Sequence, residues 1–485
     1  MRIVMLGWEF PPFISGGLGT ACYGLTKALD SRGHQVMFVL PRPVDRSKAS
    51  HIRLLSPEGI PVSTRQTTGT TANGTVQVGT EDLVEHQTTL TTGTHQFRSA
   101  KFVGLPAHFS SPYGDGSGVG GRTTGKFRTV RTTQPDGSII ETVEEISWQE
   151  LHEEDVHHAK AIFAAGGSGA GAHYKGDLIA ESERYARLVV ALARNEEFDV
   201  VHAHDWLTFP AGQALSRVTG KPLVVHVHST EFDRSGDNVN QRVYDIERRG
   251  MMAAMRIIAV SELTKSICTR RFGIPSERID VVYNGIDADH QAPVGASIQS
   301  KDKIVLFLGR ITMQKGPEYF IGAARRVLEK VPNAKFIMAG SGDMELRMIE
   351  LAAHYGIGHR VLFTGFLRGG DVDRIYQMAD CYVMPSVSEP FGIAPLEAMR
   401  NDVPVIISKQ SGVSEVLTHA LKVDFWDIDE MANKIVAVLR HPPLSQTLRE
   451  HGNLEIKKLT WEGAAKACES TYEMAMAGQA ELMIG

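Results

Sequence analysis

At 485 residues the chain is longer than one ordinary hydrophobic core holds, which predicts two domains and room for an insertion. A formal net charge of −5, with 22% charged and 42% hydrophobic residues, is that of a globular protein and leaves no basic footprint for nucleic acid. No run approaches about eighteen uninterrupted apolar residues, so no transmembrane segment is expected.

The first ten residues, M-R-I-V-M-L-G-W-E-F, are apolar but run into Pro11 and Pro12. They are too short for a signal sequence and read as a first strand. Further β-branched runs follow at 35–40, 199–204 and 222–228, and continuous apolar runs of that length suit buried parallel strands. Helical patterns lie between them, one ending at Gly33 and another in L-I-A-E-S-E-R-Y-A-R-L-V-V-A-L-A-R. Residues 61–147 break the alternation with Thr, Gly and Ser; short alternating pieces around Pro135-Asp136-Gly137 predict hairpins in a β-rich insertion. Past Asn284-Gly285-Ile286-Asp287, a polar stretch containing Pro and Gly reads as a linker. Strands are then expected again at 304–308, 335–339, 360–363, 381–384 and 404–407. The prediction is α/β: two Rossmann-like doubly wound domains, 1–288 and 289–458, facing across a cleft, with a terminal helix at 459–485 crossing back to the first.

Several motifs admit plain structural explanations. Gly120 to Phe127, G-G-R-T-T-G-K-F, nearly matches a phosphate-binding loop, but Phe127 stands where a magnesium-ligating Ser or Thr is needed. His202, His204, His226 and His228 pair at strand spacing two and could in principle hold zinc, yet hydrogen-bonded roles at strand ends are expected instead. The D-x-D pairs at 287, 371 and 427 read as turn and capping residues. No metal is therefore expected. The four cysteines, Cys22, Cys268, Cys381 and Cys468, lack C-x-x-C spacing and suit scattered thiols in a reducing compartment, which predicts a cytoplasmic location.

Two segments carry more chemistry. L-G-R-I-T-M-Q-K-G at 308–316 offers Arg310 and Lys315 just past an apolar run, and S-E-P-F-G-I-A-P-L-E-A at 388–398 offers Glu389 and Glu397 around a glycine turn. Cations at such a helix start oppose its dipole unless an anion joins them. Both segments follow strands of one sheet, where ligands of doubly wound folds bind. G-G-L-G at 16–19 adds a strand-to-helix turn whose N–H groups suit a phosphate.

These segments, with V-H-A-H-D-W at 201–206, V-H-V-H at 225–228, A-V-S at 259–261, V-Y-N-G-I-D at 282–287 and L-T-W-E at 459–462, resemble the retaining glycosyltransferases of GT-B fold. The resemblance is to glycogen and starch synthases and the related family 4 enzymes. It implies hexose transfer, glucose first, from a nucleoside-diphosphate sugar to a glucan or other hydroxyl acceptor, with no metal or other cofactor. It implies that Arg310 and Lys315 hold the donor diphosphate, that Glu389 contacts the sugar and that Glu397 holds the ribose. Backbone N–H groups at Phe391, Gly392 and Ile393 would meet sugar or phosphate oxygens, and Gly16 and Gly17 would approach the diphosphate. His228 matches the histidine beside the reaction centre and Asp205 the aspartate of the acceptor cleft. Bacterial ADP-glucose enzymes carry Lys where this chain has Ile14, which leaves the donor base open. An epimerase, a phosphorylase, a metal hydrolase and a non-catalytic carbohydrate-binding protein remain as alternatives, because fold does not determine function.

Overall fold

The computed structural model describes residues 1–10, 17–43, 100–107, 127–133, 139–145, 178–287, 302–367 and 369–484. The strands in chain order are β1 (Arg2–Leu6), β2 (Gln35–Pro43), β3 (Ala100–Ala107), β4 (Phe127–Thr133), β5 (Ile139–Glu145), β6 (Val200–His204), β7 (Leu223–Val227), β8 (Arg256–Ala259) and β9 (Ile279–Val281). The second half supplies β10 (Lys303–Leu308), β11 (Ala334–Ala339), β12 (Val361–Gly365), β13 (Cys381–Met384), β14 (Val405–Ser408) and β15 (Leu421–Val423). One sheet runs β3-β2-β1-β6-β7-β8-β9 and the other β12-β11-β10-β13-β14-β15. Neighbouring strands in both pair parallel.

Each sheet starts in its middle, winds outward to one edge and returns to wind toward the other. That places a topological switch between β1 and β6 in the first sheet and between β10 and β13 in the second, where crossover connections leave a crevice at the carboxyl ends. β6, β7, β13 and β14 are buried along their whole length, as helices on both faces require. β8, β9 and β15 were not anticipated; at three or four residues each they are too short for a period to register.

The Thr- and Gly-rich stretch departs from a pure insertion in one respect. β3 lies inside it yet pairs parallel with β2, from Val36 opposite Ala100 to Pro43 opposite Ala107, as the edge strand of the main sheet. β4 and β5 pair antiparallel in register, Thr133 opposite Ile139; the turn expected at Pro135-Asp136-Gly137 between them lies outside the described residues. So do Ile14, Gly16, the loop Gly120 to Lys126 and the linker at 288–301.

The terminal helix Trp461–Ile484 packs on the first sheet's side. Trp461, Ala464, Ala465, Cys468, Tyr472 and Ala475 share one apolar cluster with Ala21, Leu25 and Ala28 of helix Gly17–Ser31. Gly285 makes this docking possible: a Cβ there would sit 2.4 Å from the Thr460 carbonyl carbon and the Trp461 nitrogen. The glycine of the N-G turn is thus required by close backbone approach. Of the D-x-D pairs, Asp427 caps its helix by accepting from the Glu430 N–H at 2.9 Å. Asp371 does not, since Gly369 holds the cap position, and it pairs with Arg374 at 3.0 Å. Asp287 pairs with Lys27 at 2.9 Å. Among the described residues no helix is long and apolar enough to cross a membrane.

Candidate active site

The switch between β10 and β13 collects the predicted donor residues. The chain leaves β10 through Gly309 and Arg310, makes a short turn at Met313–Lys315, and enters helix Pro317–Leu328. It leaves β13 through Pro385 and Ser386 to Glu389, then enters helix Ala394–Arg400. Because β10 and β13 are neighbours, these loops meet: the Val387 N–H donates to the Gln314 carbonyl at 2.9 Å. Across the switch Lys315 Nζ lies 2.5 Å from Glu389 Oε2. Ser386 donates to the same oxygen at 3.2 Å, and Arg310 donates to Gln314 Oε1 at 3.3 Å. The structure therefore joins the cation assigned to the diphosphate directly to the carboxylate assigned to the sugar. Gly392 adopts φ of 103°, a conformation that suits glycine alone, and it turns Phe391 and Ile393 toward the start of helix Ala394–Arg400. Glu397, on that helix, accepts from the Tyr376 hydroxyl at 3.2 Å.

The facing wall comes from the carboxyl ends of β6 and β7. Asp205 follows β6 with φ of 58°, a left-handed conformation that few residues other than glycine hold without surrounding constraint. Its Oδ1 accepts from the backbone N–H of His228 at 2.7 Å and of Ser229 at 3.3 Å. Burial pushes its carboxyl up to about 7, against the opposing pull of Arg234 and those two N–H groups. Arg234 is itself enclosed, 3.1 Å from Glu231 and bonded to Glu247. Burial raises the Glu247 carboxyl to about 8 in spite of that contact. Perturbed carboxyls and backbone strain concentrate at functional sites.

The two walls touch. Ser388 donates to Asp233 Oδ1 at 2.6 Å, and Ser261 donates to the Pro390 carbonyl at 2.6 Å. Glu415 accepts from the N–H groups of Glu262 and Leu263 at 2.9 and 2.7 Å, satisfying the open end of helix Glu262–Phe272. Ser386, Ser388, Asp233, Gln314, Tyr376 and Arg234 all bear on this site and were missed in the sequence. Gln314 and Ser388 left a trace there, as polar residues inside the two segments at 308–316 and 388–398.

The four histidines occupy one face of β6 and β7, with His204 directly opposite His226. His202 Nε2 lies 3.2 Å from His226 Nδ1, and His204 Nδ1 lies 2.8 Å from His228 Nε2. Along the strands the rings stack, His202 on His204 at 4.2 Å and His226 on His228 at 4.1 Å between centroids. Burial holds all four neutral: His202 and His228 are pulled down to about 3, His204 and His226 well below the ordinary imidazole range. Ligand atoms of His202, His204 and His226 lie within 4.8 Å of one another. Both nitrogens of His202 are already bonded, however, which leaves two free Nε2 atoms where a structural zinc takes four ligands.

Comparison with known families identifies the chain's relatives. The model for glycosyl transferases group 1 matches residues 292–454, that for glycosyltransferase family 4 matches 173–290, and that for the starch synthase catalytic domain matches 2–115. An uncharacterized glycosyltransferase of Methanocaldococcus jannaschii is 32% identical over 302 residues, 58% of this chain and 76% of the relative. The chain belongs to the group 1 and family 4 glycosyltransferases. Across its whole length the transferase is also similar to the glycogen synthase of Mycobacterium tuberculosis, 23% identical over 99% of this chain and 96% of that one. In fold it resembles the catalytic domain of starch synthase IV from Arabidopsis thaliana, solved with ADP and acarbose, at a TM-score of 0.60 and 16% identity over 98% and 99% of the two chains. The architecture is GT-B, as expected. The starch synthase match runs to residue 115, past the start of the supposed insertion, in keeping with β3 belonging to the sheet.

Proposed function

We propose that this transferase moves a hexose, glucose foremost, from a nucleoside-diphosphate sugar to a hydroxyl of a glucan with retention at the anomeric carbon. The observation that carries the reading is the Lys315–Glu389 contact at 2.5 Å beside Arg310, at the switch where a doubly wound sheet binds its ligand. Arg310 and Lys315 hold the departing diphosphate and neutralise its charge without a metal, which stabilises the transition state more than the ground state. Lys315 at the same time tethers Glu389, so the sugar contact and the leaving-group clamp move as one unit. Glu397 takes the ribose hydroxyls. The N–H groups of Phe391, Gly392 and Ile393, together with Gly16 and Gly17, meet the remaining donor oxygens.

On the facing wall, His228 and Asp205 orient donor sugar and acceptor. The leaving diphosphate oxygen accepts the acceptor's hydroxyl proton as the new glycosidic bond forms on the face that the diphosphate leaves, through an oxocarbenium-like state. Whole-length similarity to a glycogen synthase supports the glucan acceptor.

A panel of UDP-, ADP- and GDP-sugars against glucan, glucose 1-phosphate, a lipid-linked sugar and a polyol tests this, read by nucleoside diphosphate release and by the product's anomeric NMR signal. Release with glucan and retained configuration is the expected result. An inverted product, or transfer confined to the small or lipid-linked acceptors, overturns the corresponding part.

A further inference from the structure

The four histidines and the terminal helix form one packed unit: hydrogen bonds join Tyr472, His202 and His226 on one side and His204 and His228 on the other, and ring stacking links the two groups. Tyr472 lies 2.7 Å from His202 Nδ1. From His202 two routes lead to His228. One crosses to His226 by a hydrogen bond and steps along β7 by stacking; the other steps along β6 to His204 and crosses by a hydrogen bond. Tyr472 thus anchors one corner of a rectangle of imidazoles whose opposite corner, the only one partly exposed, is His228.

A neutral imidazole donates from one nitrogen and accepts at the other, so each bond in the rectangle restricts where its partners carry their protons. Among the described residues, His204 Nε2 and His226 Nε2 are buried without a hydrogen-bond partner. Among backbone groups an orphaned buried N–H is rarer than an under-satisfied acceptor; by the same reasoning both of these nitrogens are assigned bare lone pairs. The protons of His204 and His226 then sit on Nδ1. His204 donates to His228 Nε2, which leaves His228 its proton on Nδ1. His226 donates to His202 Nε2, and His202 in turn donates from Nδ1 to the Tyr472 oxygen.

We propose that His202, His204, His226 and His228 form a tautomer-locked ladder, each protonated on Nδ1, which Tyr472 anchors as a positioning residue for His228. His228 is thereby delivered to the cleft as a neutral donor with a fixed ring orientation, a preorganisation that a lone imidazole on a strand end lacks. The terminal helix does more than pack: its docking gives His202 an acceptor and holds, through the ring stacks, the imidazoles beside His228. The ladder's bearing on turnover rests on the role proposed above for His228; its tautomers do not.

Long-range proton–nitrogen NMR of the whole chain with ¹⁵N-labelled histidine reads the protonated nitrogen of each ring. Four Nδ1–H tautomers, unchanged between about pH 8 and pH 6, are expected; an Nε2–H at His204 or His226 overturns the ladder. Tyr472→Phe keeps the ring and removes the hydroxyl. It is expected to shift the His202 Nδ1–H signal, because that proton loses its acceptor, and to lower kcat on the order of tenfold, with donor KM within about twofold. A variant with wild-type spectrum and wild-type kcat overturns the anchoring role, and the wild-type spectrum decides the ladder even if the variant fails to fold. If the ladder is present but His228→Ala retains full turnover, the functional reading of His228 fails and the ladder stands.

Discussion

Replacing Lys315 by alanine separates two things the lysine does. Its Nζ sits 2.5 Å from Glu389, with side chains 21% and 9% exposed, so the pair is shielded on the carboxylate side and partly wet on the lysine side. Removing the cation leaves Glu389 only the Ser386 hydroxyl at 3.2 Å. Breaking a buried pair costs about 3–5 kcal/mol; with the lysine's exposure, roughly 2 kcal/mol of stability is the expected loss. The kinetic loss is larger in consequence. A missing donor at a charge-developing oxygen costs about 3 kcal/mol of barrier, near two decades in kcat. The assay is nucleoside diphosphate release under saturating donor, run as a four-cornered cycle with Glu389→Gln. If Lys315 only neutralises Glu389, its removal does nothing further in the Glu389→Gln background; if it clamps the diphosphate, the loss persists there. Turnover by Lys315→Ala within about threefold of wild type refutes the diphosphate assignment.

Three further outcomes follow from the geometry. Asp205, with its carboxyl raised to about 7, should impose an ascending limb through that pH on kcat/KM for the acceptor; Asp205→Asn keeps an oxygen for the His228 and Ser229 N–H groups and should flatten it. A limb that survives the substitution would sink the assignment. Gly285→Ala should lower the urea midpoint by the equivalent of about 1–3 kcal/mol, because its Cβ would collide with backbone at Thr460 and Trp461; a stabilised variant, the usual result of an unobstructed Gly→Ala change, would refute the close approach. Stability should fall as pH drops from about 6.5 toward 4.5. The four histidines stay neutral when folded and take up protons only on unfolding, whereas Asp205 and Glu247 hold protons in the fold that the unfolded chain releases. Four against two leaves a net uptake on unfolding and a slope on the order of 2 kcal/mol per pH unit; calorimetry in buffers of differing ionisation enthalpy would read that uptake, and proton release instead would reverse the sign.

The sequence by itself determined what local chemistry can determine. Continuous apolar runs had to be buried parallel strands, so β1, β2, β6 and β7 and most of the second sheet were legible from pattern alone. Arg310, Lys315, Glu389 and Glu397 were legible as donor candidates because each follows a strand, and a chain leaving the carboxyl end of a strand faces the ligand side. What the tertiary structure decided was adjacency. Strand order is invisible in one dimension, and it is the neighbouring of β10 and β13 that sets Lys315 against Glu389. Likewise β3 reads locally as part of a polar, repetitive stretch, and only pairing with β2 makes it a strand of the main sheet. His202, His204, His226 and His228 were visible as strand-end pairs. That they join across the sheet follows from the pairing of β6 with β7, and that Tyr472 meets His202 from 270 residues away follows from the docking of the terminal helix, which Gly285 permits through a contact that no local pattern records.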